Sequence, residues 1–105
     1  MEEVIYLNNL YDLYKDLLTE KQQDYFEDYY QNNLTLSEIA LNKGVTRNAI
    51  HKQVKETVKY LKNYEDKLKL FEKNVKIKEI ISEIDDVKIK KELERIIEGW
   101  ICLEK

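Results

Sequence analysis

A chain of 105 residues with no proline, only two glycines and abundant Leu, Ile, Lys and Glu predicts one helical domain large enough for a core. One cysteine (Cys102) and one histidine (His51) exclude an internal disulfide and a Cys/His metal cluster, and a net charge of −3 argues against indiscriminate coating of nucleic acid. That charge is uneven: residues 1–35 hold eight acids and two bases, residues 36–75 five acids and nine bases, and residues 76–105 eight acids and seven bases, so only the middle is basic.

Val4, Leu7, Leu10, Tyr11, Tyr14, Leu17 and Leu18 recur at three- and four-residue steps, predicting a first amphipathic helix over about residues 3–17 with an acidic polar face. Thr19 followed by Gln22 has the pattern of a capping box. It opens a second helix with the stripe Tyr25, Phe26, Tyr29 and Tyr30, ending near Asn32–Asn33. These tyrosines interleave with Asp24, Glu27 and Asp28, a poor surface for phosphates, so they are read as core with hydroxyls at its edge rather than as a stacking platform for bases.

The segment TLSEIALNKGVTRNAIHKQV, Thr35 to Val54, reads as a helix-turn-helix. Thr35 and Glu38 form a T-x-x-E capping box for a third helix over about residues 36–43. Ile39 and Ala40 lie on its buried side, Ala40 small because the next helix crosses over it. Gly44 is expected in a left-handed turn, Val45 plugs the corner, and Thr46 caps a fourth helix anchored by Ile50 and Val54. The stripe continues through Val58, Leu61, Leu68 and Phe71 with no breaker before Asn74, so the fourth helix is expected to exceed six turns. Val75, Ile77, Ile80, Ile81 and Ile84 predict a fifth helix and Asp85–Asp86 a cap. A sixth helix carries Val87, Leu93, Ile96, Ile97 and Trp100, with Gly99 as its stop.

The exposed side of the fourth helix carries Arg47, Asn48, His51, Lys52, Lys55, Glu56, Lys59 and Lys62. In a helix-turn-helix the first turns of the second helix enter the major groove, where arginine forks onto guanine and asparagine onto adenine. Arg47, Asn48, His51 and Lys52 are therefore the candidates for base edges, and Lys43, Thr46 and Lys55 for phosphates. The same pattern fits a helical hairpin without a nucleic-acid role, its lysines a solvated face paired with Glu56 and Glu65; Lys59 and Lys62 are read that way. His51 has no second histidine or cysteine to share a metal and no Gly-flanked serine to activate, and no P-loop or dinucleotide glycine pattern occurs. No cofactor, metal or small-molecule substrate is expected, and an enzyme is the least supported class. No apolar run approaches the ~20 residues of a membrane span, and MEEVIYL lacks the basic region of a secretory signal, so the expected location is the cytoplasm.

LTEKQ at Leu18–Gln22, the Tyr29–Tyr30 pair, LSEIA at Leu36–Ala40, GVTRNAI at Gly44–Ile50 and YEDKL at Tyr64–Leu68 together resemble region 4 of sigma factors and, more closely, the small YlxM-like proteins of low-GC bacteria, over about residues 5–100. The apolar stripes predict an all-α fold with a helix-turn-helix head over residues 1–62, a long fourth helix and a helical tail over residues 63–105, and the resemblance implies that the head is winged-helix-like or sigma region 4-like. It also implies a helix-turn-helix regulator of DNA or RNA. Because the YlxM-like family is associated with the signal recognition particle through its gene neighbourhood, the particle's RNA or proteins become candidate partners. Sigma-type recognition helices are richer in arginine, whereas Arg47 stands here among lysines, which make point-charge contacts. The tail's surplus apolar stripes suggest a homodimer, and a monomer with its tail folded back fits the same pattern. The alternative function is a protein-interaction adaptor for signal recognition particle components, using the acidic, tyrosine-rich early helices or the apolar tail.

Overall fold

The computed structural model describes residues 2–101, with side chains through Glu98; Cys102 lies outside them. The chain is all-α, with α1 Glu2–Tyr14, α2 Glu20–Phe26, α3 Leu36–Lys43, α4 Arg47–Leu68, α5 Leu70–Ser82 and α6 Val87–Ile101. A 3-10 turn, Lys15–Leu17, closes α1, and a π turn, Glu27–Gln31, prolongs α2. No strand occurs among the described residues.

Local chemistry sets most boundaries. At the end of α1 the Lys15 carbonyl accepts from the Leu18 amide (2.9 Å) and from the Gln23 side chain (2.7 Å), so the chain turns without stranding a helix-terminal carbonyl. Thr19 and Gln22 form the reciprocal capping box, at 3.1 and 2.9 Å, that starts α2.

Two apolar clusters meet along α4. In the first, Leu7, Leu10, Tyr11 and Tyr14 of α1 pack with Leu18, Phe26 and Leu61; the Tyr11 ring stacks on Phe26 at 4.4 Å, with 9° between planes. In the second, Tyr25 packs with Ile39 and Ala40 of α3 and with Ile50 and Val54 of α4, and Tyr30 lies against both clusters. Buried tyrosines keep their hydroxyls satisfied at the rim: Tyr11 donates to Glu27 and Tyr14 to Glu65. Burial, then the neighbouring carboxylate, pushes both phenols well above their ordinary range, so they remain donors.

The fourth helix departs from the sequence expectation. It has 22 residues, about six turns, but stops at Leu68 instead of running on to Asn74; Phe71 belongs to α5, which starts five residues before Val75. Lys69 alone joins the two helices, in the left-handed conformation at φ 56°. A side chain there costs on the order of 1–2 kcal/mol of strain. Glu65 offsets it. This carboxylate, buried rather than paired with a surface lysine, accepts from the Phe71 and Glu72 amides at 3.0 and 3.2 Å and from the Tyr14 hydroxyl at 2.6 Å. The Leu70 amide in turn donates to the Tyr14 oxygen at 3.1 Å. Three amides at the start of α5 are thus capped from α4 and α1, while Lys69 supplies no side-chain cap.

From there α5 packs on α1, with Phe71 edge-on to Tyr6 at 5.3 Å. A short turn follows, Asp86 caps α6 through the Ile89 amide at 3.1 Å, and α6 returns along α5 and touches α1. The tail is therefore folded onto the head, in a molecule 55 × 25 × 24 Å. Gly99 does not stop α6, which runs to Ile101; one glycine inside a helix costs only about 1 kcal/mol.

Candidate nucleic-acid interface

The motif is assembled by its caps. Thr35 and Glu38 exchange the two bonds of a capping box, at 2.9 and 3.1 Å, and the Thr35 backbone amide, then its side chain, holds the Glu38 carboxyl below its usual range. Ile39 and Ala40 are buried, and α3 ends at Gly44, where φ is 71° and the next amide, that of Val45, donates to the Ala40 carbonyl at 3.1 Å. The Thr46 hydroxyl accepts from the Ala49 amide at 3.1 Å and starts α4. A Cβ added to Gly44 would meet nothing within 4 Å, so strain alone opposes a side chain. Gly44→Ala is expected to cost about 1 kcal/mol, read as a lowered urea midpoint with helix content unchanged.

Val45 is 42% exposed and does not plug the corner; the buried cluster beneath the motif is formed by Tyr25, Ile39, Ala40, Ile50 and Val54. Leu41 of α3 is 84% exposed.

The structure presents most of the candidate residues to solvent. Arg47, Asn48, His51, Lys52 and Lys55 are all exposed on α4. At 100° per residue, Asn48, Lys52, Lys55 and Lys59 run along the side opposite Ile50, Val54 and Leu61 and His51 lies at its flank, while Arg47 falls in the direction of Val54 and is exposed at the first turn. Neighbouring lysines of this stripe stand three or four residues apart, about one turn. Among the described residues no ion pair involves Arg47, Lys52, Lys55 or Lys59.

Two lysines behave otherwise. Lys43 turns back toward α2, 3.9 Å from Asp28 and over the Tyr25 ring at 5.8 Å, so it is not a free phosphate ligand. The sequence hides this because the contact spans two helices. Lys62 pairs with Glu3 of α1 at 3.1 Å, a surface pair as expected though with a different partner. Lys59, expected to pair at the surface, has no ion-pair partner among the described residues. Its signal was present as the seven-residue spacing from Lys52, which returns to the same face after two turns.

A groove of 650 Å³ between α1, the end of α4 and α5 includes Tyr6, Lys62, Glu65, Lys69, Phe71 and Glu72 in its lining. Its lysines are engaged by carboxylates, Lys62 by Glu3 and Lys69 and Lys76 by Glu72. Among the described residues no three His, Cys, Asp or Glu side chains gather into a metal site, and no helix is long and apolar enough to cross a membrane.

The family described as "Putative helix-turn-helix protein, YlxM / p13 like" matches residues 1–99. A UPF0122 protein of Fusobacterium nucleatum is 41% identical over 101 residues, 96% of this chain and 98% of the relative. A UPF0122 protein of Clostridium acetobutylicum is 46% identical over 86 residues, 82% of this chain and 74% of the relative. One from Geobacillus is 38% identical over 91 residues, 87% and 83% of the two chains. With its capped motif, left-handed Gly44 and all-helical frame, this chain belongs to the YlxM/p13-like helix-turn-helix family.

Proposed function

We propose that this protein is a non-enzymatic, cytoplasmic regulator that binds nucleic acid through α4 and acts in the signal recognition particle pathway. The observation that carries the reading is the exposed set Arg47, Asn48, His51, Lys52, Lys55 and Lys59, whose cations have no carboxylate partner among the described residues. Cations left unpaired in a chain of net charge −3 supply a local positive field on an otherwise acidic molecule. Thr46, whose hydroxyl oxygen is occupied as a cap, still has a proton to give to a phosphate. The pathway rests on the resemblance to YlxM-like proteins, which makes the particle's RNA the first ligand to try.

The adaptor reading has one observation behind it, the apolar side of α5 and α6. Its other surface, the acidic early helices, is weakened because Glu27 is taken by Tyr11 and Asp28 by Lys43. Binding of the purified protein to signal recognition particle RNA, to DNA from its own promoter region and to an unrelated duplex, each at two salt concentrations, tests the proposal. Tight, salt-sensitive binding to one ligand is expected. A folded protein that binds none of them would overturn the proposal and favour the adaptor.

A further inference from the structure

Of the eight tyrosines, Tyr60 alone is exposed, at 47%. The others are engaged inside the fold: Tyr6 meets Phe71 edge-on, Tyr14 lies against Tyr64 and Tyr29 against Tyr30, and Lys21 and Lys43 stand over the Tyr25 ring. Among the described residues no ring contact, hydrogen bond or cation engages Tyr60. One exposed aromatic needs no explanation by itself; its place on α4 does. Tyr60 follows Lys59 directly, and at 100° per residue it stands on the flank of the lysine stripe, on the other side from His51. Glu56 and Asn63, about one turn to either side, join Lys59 and Tyr60 in lining a hollow of about 330 Å³.

The hollow has the parts of a nucleotide subsite. The Tyr60 ring offers a stacking face, Asn63 carries amide donors and a carbonyl acceptor for a base edge, Glu56 accepts from an exocyclic amine such as that of adenine, and Lys59, without a carboxylate partner, serves a phosphate. A base within a duplex is already covered on both faces, so only an unpaired base can lie on this ring. Position agrees with chemistry. Tyr60 stands roughly 20 Å from Arg47 along the helix axis, whereas the major groove is about 12 Å wide, so with the first turns of α4 in the groove Tyr60 is beyond its edge. We propose that α4 takes a nucleic acid in which a duplex adjoins an unpaired nucleotide, whose base stacks on Tyr60 while Lys52, Lys55 and Lys59 hold the adjoining backbone. This rests on the reading of α4 as the nucleic-acid face and names the class of ligand that the face accepts.

Binding of the full chain to three RNA probes tests it: a blunt duplex, the same duplex with a short adenosine overhang, and that overhang made abasic, which keeps the phosphates and removes the bases. DNA versions of the three form a second arm and separate the two nucleic acids. The parent chain is expected to bind the adenosine overhang at least about fivefold more tightly than the abasic one, the lower end of what a base stacked on an aromatic side chain contributes. Tyr60→Ala, at an exposed helical position that alanine suits, is expected to erase that difference with its circular dichroism unchanged, and Tyr60→Phe to keep it, because the ring and not the hydroxyl stacks. A Tyr60→Ala chain that still prefers the adenosine overhang, or a parent chain that binds adenosine and abasic overhangs alike, would overturn the subsite and leave the lysine stripe as the interface. A parent chain that binds none of the probes would overturn the subsite together with the reading on which it rests.

Discussion

Glu65→Ala is expected to lower the stability of the protein by about 3 kcal/mol, a large share of the ~5–15 kcal/mol available to a domain of this size. The buried carboxylate accepts three hydrogen bonds, two from amides of α5 and one from Tyr14. Bonds to an ionised acceptor contribute roughly 1.5–3 kcal/mol each, but they are not additive, because amides at an opened helix start regain water. Alanine also removes the compensation for the strained Lys69. Glu65→Gln, which retains one carbonyl acceptor, should cost about half as much, and Tyr14→Phe should fall in the same range through loss of the Leu70 contact. Urea midpoints for the three variants measure this order. A Glu65→Ala protein within 1 kcal/mol of the parent would mean that packing of Phe71, not this network, fixes the junction.

Reversing the charge of Lys52, Lys55 and Lys59 together is expected to reduce nucleic-acid affinity by more than about 100-fold near 0.1 M salt while leaving stability unchanged. Each lysine that neutralises a duplex phosphate contributes about 0.9 to the slope of log affinity against log salt, so the triple variant should lose two to three units of that slope. Arg47→Ala should behave differently. If its guanidinium reads a base, the loss is ~1–3 kcal/mol and confined to the preferred sequence, whereas a lysine-to-alanine change weakens all sequences alike. A triple variant that binds like the parent would remove α4 from the interface.

Where structure follows from neighbours in sequence, it was legible. Thr19 with Gln22, Thr35 with Glu38, Thr46 before Arg47 and Asp86 before Val87 are caps that act within three residues, and each starts a helix where its pattern says. The break at Lys69 was not legible. Leu68 and Phe71 continue the apolar stripe, no glycine or proline marks the place, and the groups that hold it, Tyr14 and Glu65, are 51 residues apart in the chain. The same limit explains Lys43, whose partner Asp28 lies in the π turn after α2, and Val45, which has the character of a core residue but stands outside the buried cluster. Of the candidate interface, periodicity placed Arg47 to Lys55 on one rod, but only the tertiary fold decides which lysines keep their charge free.

The same rod belongs to both cores, through Ile50 and Val54 at one end and Leu61 at the other, and Glu65 locks its last turn to α1 and α5. The cations on its outer side are thus displayed on a backbone that has already lost its conformational freedom during folding. A ligand meeting them has only side-chain rotamers to order, at roughly 0.5–1.5 kcal/mol each, and the spacing between cations does not adapt to it. Under the proposed function, such an array would select a nucleic acid by the geometry of its phosphates.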